Sequence, residues 1–384
     1  MVFSNLHILG QQGIWDLHIR KGMIDSISEA DHIISTQKVD FTNAHVFPGL
    51  INSHDHLDFN CFPSIGNRIY NNYAEWGKDI HQNNKKEIDA VLKIPRELRV
   101  AWGVYKNLLG GVTTVVNHGE KLLIPPDFIS VVQDFSSLHS FQFEKYWRLK
   151  LNNPFSKNKL FVIHAGEGTT KDAHEEINAL IRWNTLRKKL IAIHGVAMNE
   201  KQAAAFEALV WCPYTNMFLL AKTADINLLK NKTPVIFGTD STLTASWNIW
   251  DHLRLARKTQ LASDNEIFNM LNVSAAKVWR LPSVGQISPH FQADIVIMKK
   301  KNIIREWDGF FDSNPEDILL ALKEGRIILF DEVLLPQLKE NTFNGSDFTK
   351  INMKGRIKYI QGNLHSLVKN IQSYYPDAVF PFTQ

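Results

Sequence analysis

Four separate apolar runs in this chain close on a residue type that binds metal ions or carries protons. Phe47-Pro48-Gly49-Leu50-Ile51-Asn52-Ser53 leads to His54-Asp55-His56. Leu160-Phe161-Val162-Ile163 closes on His164, Leu190-Ile191-Ala192-Ile193 on His194, and Val235-Ile236-Phe237-Gly238-Thr239 on Asp240. Continuous apolar runs of this length are the pattern of parallel strands covered on both faces. Residues i and i+2 of a strand point to the same side, so His54 and His56 converge. In a parallel barrel all strand C-termini face one way, and the active site is built on that rim. Chance accounts for one such ending; it does not account for four.

The segments between the runs carry helical spacing. Asp172-Ala173-His174-Glu175 opens a stretch with Ile177, Leu180 and Ile181 on one face. Asn199 with Gln202 precedes Ala203, Phe206 and Leu209 in the same way. Gly111-Val112-Thr113-Thr114-Val115-Val116-Asn117-His118 is a further strand, and Val210-Trp211-Cys212-Pro213 a shorter one. Strand–helix alternation over 47–284 predicts an α/β fold with a parallel sheet, in its commonest form a (β/α)8 TIM-like barrel. The interval from His118 to His164 is too short for two full units. Residues 129–135 fit one strand and 141–151 one helix, so the barrel is expected to be abbreviated or irregular between its second and fifth strands. Trp247, Trp250 and Leu253, at helical spacing, are expected in the core.

Residues 16–20 and 23–27 alternate polar and apolar around a Lys21-Gly22 turn, a hairpin pattern. Residues 292–298 and 325–330 are strands near the other end. Neither end is large enough to fold alone. The expectation is a small composite β-sandwich of 1–46 and 285–384 flanking the 47–284 domain, with a C-terminal helix carrying Leu364, Leu367, Val368 and Ile371 on one face.

With 44% hydrophobic and 21% charged residues and a net charge of +4, the chain reads as globular, with no basic stripe of the kind nucleic-acid binding needs. Its two cysteines, Cys61 and Cys212, make no disulfide framework and fit a reducing compartment. The first residues show no basic segment followed by an apolar one, and no run approaches the roughly 18 apolar residues of a membrane span. A cytoplasmic protein acting on a small molecule, with neither nucleic acid nor membrane as partner, is the expectation.

Glu167 lies three residues beyond His164, in His164-Ala165-Gly166-Glu167-Gly168. The glycines let the backbone turn sharply, so the carboxylate can fold back toward the strand end. Hydrolysis by a metal-activated water needs a base for the water's proton and an acid for the leaving group, and one carboxylate can be both. Candidates for touching a substrate are His118 at the end of the second strand, Glu120 just after it, Asn216 beyond Cys212-Pro213, and Trp76. Trp76, with Tyr70 and Tyr73, could stack on a ring or merely pack.

The set Pro48-Gly49-Leu50-Ile51 with His54-x-His56, His164-Ala-Gly-Glu167, His194-Gly195 and Thr239-Asp240-Ser241 resembles the amidohydrolase superfamily, and within it the one-metal branch of deaminases and chlorohydrolases. Asn272-Val273-Ser274-Ala275-Ala276, Gly285 and Ala293-Asp294 fit the same likeness, which spans nearly the whole chain. The resemblance implies that His54, His56, His164 and Asp240 ligate one divalent metal, zinc ahead of iron. It implies that Glu167 shuttles the proton, and that His194, assisted by Asp240, hydrogen-bonds the attacking hydroxide or the developing oxyanion. A two-metal branch uses a carboxylated lysine; Lys145, Lys150 and Lys157 fall in the compressed region, and none ends a strand. The implied activity is deamination of an amino-substituted heterocycle. A ring-opening cyclic amidohydrolase of imidazolone type, a binuclear amidase or dipeptidase, and an inactive scaffold of the same fold stay open, as does a homo-oligomeric state.

Overall fold

The structure is a computed structural model that describes residues 1–30, 38–122, 128–301, 305–340 and 345–383. Both ends of the chain join one nine-stranded sheet. The strand Lys38–Pro48 lies inside it, beside the central strand Ile295–Lys299, to which it is antiparallel, and parallel to Val2–Ile8 on its other side. The sequence suggests a sandwich; by hydrogen bonding the strands form a single continuous sheet, around an apolar cluster that includes Phe3, Leu17, Ile24, Phe41, Ile297 and Phe330. The expected hairpin of Trp15–Arg20 and Met23–Glu29 is present. Lys21 (φ 51°) and Gly22 (φ 80°) both take the left-handed conformation that a two-residue turn needs to match strand twist.

Among the described residues, eight parallel strand segments form the rest of the framework, in two sheets. Leu50–Asp55, Val112–Asn117 and Ser130–Val132 make a three-stranded one. Ser136–Ser140, Phe161–Ala165, Leu190–His194, Ala208–Trp211 and Val235–Phe237 make a five-stranded one. Every neighbouring pair is parallel. At one seam the amides of Thr239 and Asp240 both donate to the His54 carbonyl, at 3.1 and 3.0 Å. At the other, Ser130–Val132 runs into Ser136–Ser140 through Gln133, Asp134 and Phe135, with no helix between.

Side chains alternate between two cores along these strands. Ile51, Val116, Val162, Ile191, Ile193, Val210 and Ile236 share one cluster with Ala275 and Trp279 of the helix Val273–Trp279. Phe161, Ile163, Ala192, Leu209 and Phe237 face the other way, into the core shared with the outer helices. Burial on both faces explains why these strands read as uninterrupted apolar runs.

The stretch between the second and fifth parallel strands departs from expectation. Strand pairing covers only Ser130–Val132 of 129–135, and helix only Trp147–Leu151 of 141–151. Ser136–Ser140, a strand in neither expectation, pairs with Phe161–Ala165. The C-terminal helix Leu364–Tyr374 buries the four residues expected and packs on the helix Arg96–Leu109. Trp250 and Leu253 are fully buried, with Trp247 half-buried beside them. Among the described residues no helix is long and apolar enough to cross a membrane.

Candidate active site

His54, His56, His164, His194, Glu167 and Asp240 come together at the C-terminal ends of the parallel strands, each at most 7% exposed. His54 Nε2 lies 3.2 Å from His164 Nε2, and Asp240 Oδ1 lies 3.7 Å from the Nε2 atoms of both His54 and His56. A zinc ion with ligands at 2.0–2.1 Å in a tetrahedron sets its ligand atoms about 3.3 Å apart. The three imidazoles make one cluster near that spacing, and Asp240 joins His54 and His194 in a second, overlapping one. They are also chemically ready: burial first, then the neighbouring imidazoles, holds His54 and His164 well below the usual histidine range, so both rings are neutral.

Backbone conformation aims two of these side chains. Ile193 faces the inner core, so simple alternation would turn His194 outward. His194 instead has φ 71°, and Asp240 has φ 59°. His and Asp tolerate this left-handed region better than most residues, though at a cost of order 1–3 kcal/mol. Gly166 (φ 65°) turns the His164–Glu167 loop, with the Ile177 side chain where a Cβ would stand.

Ring orientation is set by second partners. His164 Nδ1 meets the His139 carbonyl, which leaves Nε2 to the centre of the site. Trp211 Nε1 and Asn216 Nδ2 both donate to Thr223 Oγ1, at 2.7 and 3.2 Å, which turns the Asn216 amide oxygen toward His194 Nδ1 at 2.9 Å. That nitrogen therefore carries the proton, and His194 Nε2 presents a lone pair 3.6 Å from Glu167 Oε2. Burial brings His194 down to about 4, and burial, then Asp240 and Glu176, pushes Glu167 well above the carboxylate range.

Beneath the cluster lies a buried ion pair that sequence reasoning missed. Lys106 Nζ is 2.9 Å from Asp55 Oδ2, the two side chains 2% and 0% exposed. Asn107 and Asn60 donate to the same carboxylate at 2.7 and 2.9 Å, and Lys106 also donates to Asn60 Oδ1 at 3.0 Å. Asn52 adds bonds to Asn107 Oδ1 and Thr239 Oγ1 at 2.9 and 2.7 Å. This network ties the His54-Asp55-His56 segment to the Thr239-Asp240 segment across the seam. The one sequence signal was the aspartate between two histidines.

A cavity of about 510 Å³ opens over the cluster, lined at its base by His56, His164, His194, Glu167 and Asp240. Of the substrate candidates, Trp76 lines it, with its indole N–H donating to the Ile65 carbonyl at 2.8 Å. Asn216 acts on His194 instead. His118 is buried within the imidazole cluster, its ring centre 4.6 Å from that of His164, and it does not line the cavity. Glu120 lies apart, its side chain 85% exposed and paired with Arg96 at 3.1 Å. His139, missed in the sequence, lines the cavity from the unforeseen strand, its ring centre 5.3 Å from that of His164.

Imidazoles and carboxylates gathered on the C-terminal rim of parallel strands are the donor set that a metal-dependent hydrolase needs. The sequence profile of the amidohydrolase family matches residues 153–328. A 5-methylthioadenosine/S-adenosylhomocysteine deaminase of Caldicellulosiruptor saccharolyticus is 21% identical over 83% of this chain and 90% of its own. An adenosine deaminase from Xanthomonas campestris with bound zinc shares the fold at TM-score 0.70 and 14% identity, over 97% of this chain and 98% of its own. The atrazine chlorohydrolase of Arthrobacter aurescens, complexed with zinc, does so at 0.68 and 14%, over 97% and 99%. Over most of its length the chain is thus similar to deaminases and a chlorohydrolase, and the amidohydrolase profile matches its middle portion.

Proposed function

We propose that the chain hydrolyses a carbon–nitrogen bond, deaminating an amino-substituted heterocycle with the help of one divalent metal ion, zinc ahead of iron. The observation that carries this reading is the pair of overlapping ligand clusters, His54-His56-His164 and His54-His194-Asp240, with Glu167 beside them at the base of one cavity. His54, His56, His164 and Asp240 would hold the ion. Lys106, buried beneath the cluster, is committed to Asp55, which favours a single ion over a lysine-bridged pair. The reading also takes the two parallel sheets as one barrel, abbreviated where the third segment runs straight into the fourth, within a 47–284 domain flanked by the sheet of the two ends.

A divalent ion in this position supplies a Lewis acid that brings the pKa of water into the neutral range. The chain's own groups do the rest. His194 Nε2, a lone-pair acceptor because Asn216 holds the proton on Nδ1, accepts a hydrogen bond from the attacking water and orients it. It does not donate to an oxyanion in that tautomer. Glu167 takes a proton as the water oxygen bonds to the ring carbon, then delivers it to the departing nitrogen. The C–N bond breaks, ammonia leaves, and the ring keeps the oxygen.

The test is metal content per chain together with ammonia release across a panel of amino-heterocycles. One equivalent of metal and ammonia release are expected. Glu167→Gln is expected to keep the metal and lose turnover by a factor of about 10² to 10⁴. Two equivalents, or an active Glu167→Gln chain, would sink the one-metal mechanism. Turnover of cyclic amides without ammonia would put ring opening in its place.

A further inference from the structure

The cavity has two chemically distinct ends. Its base holds the titratable cluster, whereas its walls are aromatic and aliphatic: Phe59, Phe62, Trp76, Ile80, Leu243 and Phe143. Several polar atoms along the walls are engaged with protein partners. The Tyr73 hydroxyl accepts from the Gln142 amide at 3.1 Å, and the Trp76 indole N–H donates to Ile65. Ser140 Oγ accepts from the Phe143 amide at 3.2 Å, and Thr244 Oγ1 and Thr215 Oγ1 bond to each other at 3.0 Å. Among the described residues no arginine lines the cavity; Lys78 and His81 do, and both are exposed.

A hydroxyl or carboxylate held against the Phe59–Trp76–Ile80 wall, short of Lys78 and His81, would give up water and find no partner there, a penalty apolar groups escape. At about 510 Å³ the cavity also holds more than a bare six-membered ring. Resting on the deaminase reading above, we infer that the substrate is an uncharged amino-heterocycle carrying an apolar alkyl, aryl or thioalkyl substituent, with the ring at the base and the substituent against the Phe59–Trp76–Ile80 wall. Anionic and polyhydroxylated substituents are selected against by the walls.

The experiment uses one amino-heterocycle in four forms: unsubstituted, and bearing a butyl, a hydroxyalkyl or a carboxyalkyl group. Ammonia release and calorimetric binding are measured on the metal-loaded chain. The butyl form is expected to lead, with kcat/KM rising up to about fourfold for each methylene buried. The carboxyalkyl form is expected to trail it by at least about 30-fold. Leu92→Glu and Phe143→Glu, both at exposed wall positions, should cut the butyl advantage severalfold without changing metal content. Equal or better turnover of the hydroxyalkyl or carboxyalkyl form overturns the inference and leaves the deaminase reading standing. Preferential binding of the butyl form without ammonia overturns the deaminase reading and keeps the apolar specificity. An undiminished butyl advantage in both wall variants removes this wall from the account.

Discussion

Glu176 shows what a single buried carboxyl does to stability here. It sits on the helix Lys171–Trp183, 5% exposed, makes no ion pair among the described residues, and accepts the Gly166 amide at 3.4 Å. Burial pushes it up to about 8 from an ordinary 4.5. In the unfolded chain the group ionises near 4.5, in the folded chain only near 8. Its favourable contribution is therefore complete below about 4.5 and is lost as pH rises toward about 8. Glu176→Gln keeps the shape and removes the proton equilibrium. Between pH 5 and pH 8.5 the parent should lose about 3 to 5 kcal/mol relative to this variant in urea unfolding. Parallel pH profiles would mean that the carboxyl is better solvated than its surroundings suggest. Glu176, His139 and Lys106 escaped sequence reasoning for a shared reason. Their significance comes from what lies opposite them in space, such as Asp55 for Lys106, and no local pattern encodes that partner. His54, His56, His164, His194 and Asp240 were legible because each ends an apolar run, a feature carried entirely by neighbours in sequence.

The strands of the nine-stranded sheet carry a comparable dependence on partners. Asp331 and Lys358 stand directly opposite each other on antiparallel Arg326–Asp331 and Arg356–Gln361. Their side chains are 3% and 0% exposed and 2.7 Å apart. Lys358 Nζ also donates to the Ile318 carbonyl at 2.6 Å, and Asp331 Oδ1 accepts the Val333 amide at 3.0 Å. Lys358→Met would leave the Asp331 carboxylate buried without its cation, at a cost of about 3 to 5 kcal/mol. The double variant Asp331→Leu, Lys358→Met should recover most of it. Equilibrium unfolding of the three chains measures this; a loss below about 1 kcal/mol in the single variant would mean that water reaches the carboxylate. Element boundaries were readable where local chemistry fixes them. The Lys21-Gly22 turn and the reciprocal Asn199–Gln202 cap on the helix Glu200–Ala203 are two such places. Residues 129–151 were not readable. Ser136-Ser137-Leu138-His139-Ser140 has little strand character of its own, and its pairing with Phe161–Ala165 decides its conformation.

On the scale of the molecule, the site lies across a seam. His54 and His56 belong to the three-stranded sheet's side, and His164 and Asp240 to that of the five-stranded one. Strand–helix alternation made the parallel framework legible, and runs ending in ligand-type residues made its rim legible. How the halves are held together was not, because the seam bonds and the Lys106 network join residues far apart in the chain. On the one-metal reading, an ion bound by all four ligands fastens the two sheets beside the Thr239 and Asp240 amide bonds to His54. A ligand that binds only the folded state stabilises it by RT ln(1 + [L]/Kd), about 4 kcal/mol at a thousandfold excess over Kd. Removing metal with a chelator should therefore lower the unfolding midpoint by several degrees, and adding zinc back should restore it. The same treatment should do little to His164→Ala, which lacks one of the four ligands. It should act in full on Glu167→Gln, which keeps them all. A metal-free parent chain that melts where the loaded one does would show that the protein bonds alone close the seam. The four ligands would then be held in place before any ion arrives, and binding would cost them no reorganisation.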